Sequence, residues 1–293
     1  MRAHVQVERI ARGVEIDIRN LGLKVTGFSV DPLSGNILSQ GGSEEALNAS
    51  RYVRAIVQEL DADRVRITVD SELPVGAGLG SSAAIVVATL GALNCHMGNA
   101  LSTEEIANEA YRIEKMVQQG LGSPMDTALS AFGGYRLVSQ TTQPLDLPPL
   151  ELVVGFTGKS HDTRREVAGV QSLKGQYPEI LDNVFKAIGA VTVHAIDCMK
   201  SENMAELGTL MNINQGLLEA IGVSTRELSE LIYASRGAGG ALGAKLTGAG
   251  GGGCMIALPA PGGQRDVLIA MAQARGRGFK VITGSQGLRI ESP

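Results

Sequence analysis

Residues 74–84 read PVGAGLGSSAA, a proline and three alternating glycines followed by two serines that open an apolar run. Glycines at this spacing let the main chain approach another group closely. The N–H groups at the helix start that follows carry partial positive charge toward any anion placed there. The stretch is therefore either a seat for a polyphosphate or a capping turn in which Ser81 or Ser82 satisfies free N–H groups. What precedes and follows it decides the fold.

Before it, RVRITVD alternates Val65, Ile67 and Val69 as a half-buried strand does. After it, two helices follow with no strand between them. The first spans about Ser81 to Met97. The second starts at Ser102, with Glu105 completing a capping box. Ile106, Ala110, Ile113 and Val117 give that second helix a buried face, and Glu114 lies beside it. A dinucleotide fingerprint needs a tight strand–turn–helix and a second strand after it, and a Walker A loop needs a Lys after its glycines. Neither condition is met.

Farther out, Val5 and Val7, then Val14, Ile16 and Ile18, predict a hairpin turning near Gly13. SPMDTALSAFGG places Asp126 among small residues, either as a hydroxyl base or as a helix cap. GGYRLVSQ reads as a strand. TTQPLDLPPL holds three prolines and puts a domain boundary at about residue 145, which gives domains 1–145 and 146–293. The second half reads as strand LELVVGFTG, helices near 178–200 and 203–220, and a helix from Ser224 with Glu227 three residues on. A glycine cluster at 248–253, a helix near 264–275, and strands at FKVITG and GLRIE complete it. This mixture predicts an α+β layer.

The bulk properties narrow the function. The 293 residues carry a formal net charge of −4 with no basic run, which argues against a nucleic-acid partner. Cys95, Cys198 and Cys254 have no disulfide or zinc spacing, as expected of a cytoplasmic protein. AAIVVATLGAL is about half of the roughly 20 residues that span a bilayer, so it is read as a buried helix and no membrane role is expected. The opening residues alternate polar and apolar side chains without a signal-peptide core. The four His show no mutual pattern.

PVGAGLGSSAA, SPMDTALSAFGG and KLTGAGGGGC, taken together and in this order, resemble the motifs of the GHMP small-molecule kinases. DTRREVAGV and MNINQGLLEAIGVS are similar to segments of the archaeal branch of that family whose acceptor is mevalonate. The resemblance implies a two-domain α+β fold, with an N-terminal domain like the second domain of ribosomal protein S5 and a ferredoxin-like C-terminal domain. It implies that ATP phosphorylates mevalonate to 5-phosphomevalonate in isoprenoid precursor synthesis, with Mg²⁺ and in a homodimer. Another GHMP acceptor, or a nucleotide-binding protein without transferase activity, stays as the alternative. By the same resemblance Gly76, Ala77, Gly78, Leu79, Gly80, Ser81 and Ser82 wrap the ATP phosphates, and Ser71 contacts the nucleotide. Ser82 and Glu114 hold the metal, Asp126 receives the hydroxyl proton, and Thr163, Gly248 and Ala249 lie by the substrate. The family's usual PGKxxLxGEH segment has no counterpart, for which either a start codon set too late or a truncated or diverged protein would account.

Overall fold

A computed structural model of the chain describes residues 2–30, 37–38, 44–72, 78–120, 122–139, 141–159, 163–237 and 240–291. The chain forms two compact units. The first contains strands β1 (Ala3–Arg9), β2 (Val14–Ile18), β3 (Leu23–Val30) and β4 (Ile37–Leu38), helices α1 (Glu44–Ala49) and α2 (Arg51–Glu59), and strand β5 (Val65–Ser71). Helices α3 (Ser81–His96), α4 (Thr103–Val117) and α5 (Pro124–Phe132) and strands β6 (Tyr135–Val138) and β7 (Thr142–Leu145) follow.

The sheet order is β1-β5-β2-β3-β4. This corrects the hairpin expected near Gly13, because β5 lies between β1 and β2, antiparallel to the first and parallel to the second. Residues 10–13 must therefore cross two strand spacings, about 10 Å, which four extended residues can reach. The inserted strand has a chemical match on each side. Arg66 pairs with Glu8 of β1 and Glu15 of β2, both at 2.7 Å. Its other face puts Val65, Ile67 and Val69 with Val14, Ile16 and Ile18 into a core completed by Val53, Ile56 and Val57 of α2 and Val86, Leu90 and Leu93 of α3. Exposed ion pairs contribute about 0–1 kcal/mol each, so apolar burial dominates this placement.

Residues 83–93 lie within α3, where Ala83, Val86, Val87, Leu90 and Leu93 are buried, as their apolar character predicts. Ser102 caps α4 with the predicted reciprocal bonds to Glu105. Pro144 does not stop pairing altogether, since β7 joins β6 in a two-stranded sheet where an edge proline is tolerated.

The second unit contains β8 (Glu151–Phe156), α6 (Thr163–Gln176), α7 (Pro178–Lys200), α8 (Met204–Ala220), α9 (Arg226–Gly237), β9 (Ala241–Leu246), β10 (Cys254–Pro259), α10 (Gln264–Gln273) and β11 (Arg277–Ile282). Its antiparallel sheet has the order β11-β8-β10-β9. Numbered within the unit this is 4-1-3-2, the βαββαβ arrangement of a ferredoxin-like domain with several helices in its first crossover. Strand alternation supplies two apolar faces. Val153, Met255 and Ala257 pack with Leu228, Leu231 and Ile232 of α9 and with Met271 of α10. On the opposite face Val154 and Cys254 meet Leu79, Phe156 and Phe279.

Two helix and strand expectations change here. The cap of α9 is Thr225, whose Oγ1 accepts the Leu228 N–H at 3.3 Å, while Ser224 Oγ is engaged by Gln215. GLRIE forms no strand, because a single bridge from Gln286 to Gly133 and a bond from Leu288 N–H to Ala131 O hold it against α5. Contacts accordingly group residues 286–291 with the first unit, and Gly78 and Leu79 with the second.

Candidate active site

The start of α3 has no side-chain cap. Gly80 is its N-cap at φ 68°, in the left-handed region, and makes no side-chain cap bond. The Ser82 hydroxyl, one of the two expected caps, donates to Glu114 Oε1 at 2.9 Å. Gly78 also has a positive φ, 73°, so two of the alternating glycines occupy conformations that L side chains avoid. Gly76 and Ala77 lie outside the described residues. Ser71 is buried at the end of β5, and Ser81 opens α3.

Two carboxyl groups gather at this helix start. Glu114, beside the apolar face of α4, is itself only 3% exposed. Burial pushes its pKa up to about 7, against the Ser82 hydrogen bond, and the charge of Asp126 adds to the rise. Asp126 occupies the first turn of α5, whose N-cap is Ser123 and whose first residue is Pro124. A Cβ at Gly80 would stand 3.7 Å from the Asp126 carboxyl carbon, so that carboxyl group lies directly against the glycine turn. Burial raises the Asp126 pKa as well. A partly desolvated carboxylate is a stronger proton acceptor than one in water.

Among the described residues, no group of three or more His, Cys, Asp or Glu could hold a metal ion. Ser82 Oγ and the Glu114 carboxylate are two adjacent oxygen donors. A pair of this kind suits Mg²⁺, which takes one or two protein ligands and completes its shell with water and phosphate oxygens.

The second glycine stretch joins β9 to β10, and its glycines are required by contacts as well as by dihedrals. Gly248, Gly250, Gly251, Gly252 and Gly253 all have positive φ. A Cβ on Gly248 would lie 3.0 Å from Gly78 O, one on Gly250 would enter Val223 O, and one on Gly251 would enter the Glu166 carboxylate. Gly251 N–H donates to Val223 O at 2.8 Å and Gly253 N–H to Lys159 O at 2.9 Å. The loop is thus pinned in its second half. In its first half, Gly248 lies against Gly78. Thr163 is the exposed first residue of α6.

Lys245, which the sequence reading passed over, precedes this loop. Its Nζ donates to Leu246 O at 2.7 Å, and burial lowers its pKa to about 8. A lysine just ahead of a glycine cluster was the available signal.

The pattern of the GHMP kinases N terminal domain matches residues 48–134, and that of the GHMP kinases C terminal domain matches residues 195–278. The chain belongs to the GHMP kinase family. The mevalonate kinase of Pyrococcus horikoshii is 44% identical over 94% of this chain and 83% of its own length. That of Thermococcus gammatolerans is 40% identical over 99% of this chain and 90% of its own. Solved structures agree on the fold at lower identity. The L. major mevalonate kinase in complex with R-mevalonate gives a TM-score of 0.77 at 22% identity, over 98% of this chain and 87% of that one. A Lactococcus lactis galactokinase gives 0.72 at 18% identity, over 97% of this chain and 85% of that one.

Proposed function

We propose that this GHMP kinase transfers the γ-phosphoryl group of ATP to the primary hydroxyl of mevalonate, forming 5-phosphomevalonate and ADP. The placement of the Asp126 carboxyl group against Gly80, at a helix start without a side-chain cap, carries the reading, and the identity to archaeal mevalonate kinases selects the acceptor. Phosphoryl transfer asks the protein for positioning and charge stabilisation more than for covalent chemistry. In this reading the N–H groups from Gly76 to Ser82 receive the phosphates, Ser71 contacts the nucleotide, and Asp126 aligns the acceptor hydroxyl and takes its proton. Thr163, Gly248 and Ala249 line the acceptor side. Mg²⁺, when held by Ser82 Oγ and the Glu114 carboxylate, neutralises phosphate charge.

We place the domain division at about residue 145, with residues 286–291 assigned to the nucleotide-binding half. Three free thiols fit a cytoplasmic setting, and among the described residues no helix is long and apolar enough to cross a membrane. A homodimer completes the proposal, with light scattering as its check.

The deciding assay measures ADP release with mevalonate, homoserine and galactose in parallel, with and without Mg²⁺. Metal-dependent turnover of mevalonate alone is expected. Turnover of another alcohol in preference to mevalonate would overturn the acceptor, and nucleotide binding without any turnover would overturn the transferase.

A further inference from the structure

α8 presents Asn212 and Gln215 to β9. That strand is an edge of its sheet, so the outward N–H and C=O groups of alternate residues 242, 244 and 246 have no neighbouring strand. Side chains replace it. Ala244 N–H donates to Asn212 Oδ1 at 3.1 Å, and Asn212 Nδ2 donates to Leu242 O at 3.5 Å. Arg236 Nη2 donates to Ala244 O at 2.6 Å, and Leu246 N–H donates to Gln215 Oε1 at 2.8 Å. These bonds block the edge.

Gln215 differs from the others in what else it holds. It is 1% exposed, and its Nε2 donates to Ser224 Oγ at 3.2 Å and to Glu219 Oε1 at 3.1 Å. Ser224 directly follows Val223, whose carbonyl accepts the Gly251 N–H and lies where a Cβ on Gly250 would be. Leu246 is the last residue of β9 before the glycine loop 247–253. One buried amide therefore grips the chain just ahead of the loop and also the turn on which the middle of the loop rests. Two residues past Leu246, Gly248 meets Gly78.

We propose that Gln215 is a positioning residue for the glycine loop 247–253, fixing the span between the end of β9 and the Val223–Ser224 turn and so the placement of Gly248 and Ala249 against Gly78. This rests on the reading of that loop as part of the phosphoryl-transfer site. Gln215 acts through the backbone and touches no reactant. A mis-set loop lowers the rate of transfer more than it weakens capture of the acceptor, because geometry within about an ångström governs the chemical step.

The test uses the full chain with Gln215→Met, similar in length but without the amide, together with Ser224→Ala and Asn212→Leu. Circular dichroism establishes a temperature at which each variant is folded, and amide hydrogen exchange by peptide mass spectrometry is read beside steady-state kinetics. For Gln215→Met we expect exchange about 10-fold faster or more, confined to peptides covering 247–253. Its kcat should fall about 10-fold while the KM for mevalonate stays within about threefold. Ser224→Ala should shift both readouts in the same direction and by less. The double variant should be no worse than Gln215→Met, because one clamp is removed twice. Asn212→Leu removes bonds at Ala244 and Leu242 instead, and should lower Tm with loop exchange and kcat within about twofold of wild type.

Wild-type loop exchange and kcat in folded Gln215→Met would overturn the proposal. Equal loss of kcat in Asn212→Leu would do the same, since Gln215 would then only stabilise the strand. If Gln215→Met fails to fold, Ser224→Ala decides alone: loop-confined acceleration supports the role, and an unchanged loop overturns it. A wild type inactive on mevalonate would sink the proposed function. The exchange arm would still decide for or against the clamp.

Discussion

At the residue scale, Asp126 and Gly80 can be separated experimentally because they touch without crowding. Asp126→Asn keeps the shape of the carboxyl group and removes its basicity and charge. Turnover is expected to fall by about 10² or more with ATP still bound, as loss of a general base requires. Parallel kcat measurements and ATP titrations check this, and near-normal turnover removes Asp126 from the chemistry. For Gly80 the structure narrows the reason for harm. A Cβ there would make an ordinary contact, 3.7 Å from the Asp126 carboxyl carbon, so space is available. The φ of 68° is the obstacle, costing an L residue about 1–2 kcal/mol and a β-branched residue more. Gly80→Ala should therefore weaken ATP binding moderately and Gly80→Val by about 10-fold or more, measured by titration with circular dichroism as a folding control. Equal affinity in folded Gly80→Val would return this stretch to the status of a connection.

At the element scale, what could be read from the sequence depended on whether the deciding partner was local. The capping box at Ser102 and Glu105 is complete within four residues, and it formed as expected. The β1–β2 hairpin was misread because its alternation is equally compatible with a strand inserted between the two, and that strand comes from more than 40 residues away. Ser224 and Thr225 are equivalent as caps on paper, and a distant glutamine settles the choice by taking Ser224. Glu114 could be assigned by resemblance, whereas its burial came only with the tertiary structure. Packing of α8 on β9 gives another non-local case. A Cβ on Gly208 would lie 2.5 Å from Leu242 O, and one on Gly243 would enter the Gly208 carbonyl. Neither glycine needs an unusual dihedral, so the requirement is closeness of helix to strand. Gly208→Ala should cost about 1–3 kcal/mol through overpacking, despite alanine's better helix propensity, in a denaturant titration. An unchanged or raised midpoint would mean that α8 can move off the strand.

At the scale of the whole molecule, the buried carboxyl group of Glu114 ties stability to pH. Its folded pKa of about 7 lies above the ordinary value of 4.5, so the native state holds this proton more tightly than the unfolded chain does. The associated stability is complete below about pH 4.5 and is lost as pH rises to about 7 and beyond. A shift of this size corresponds to at most about 3 kcal/mol, and the raised pKa of Asp126 acts in the same direction. Glu114→Gln retains an acceptor for Ser82 and cannot ionise. In the absence of ligands, wild-type Tm should therefore fall relative to the variant as pH increases from 5 to 8. Mg²⁺ with ATP should remove much of that difference, because a cation beside Glu114 favours the carboxylate and ligand binding stabilises only the folded state. EDTA should restore the slope. Parallel Tm–pH curves for ligand-free wild type and Glu114→Gln would show that the proton on Glu114 does not set the pH response, and equal Mg²⁺·ATP stabilisation of both proteins would move the metal away from this carboxylate.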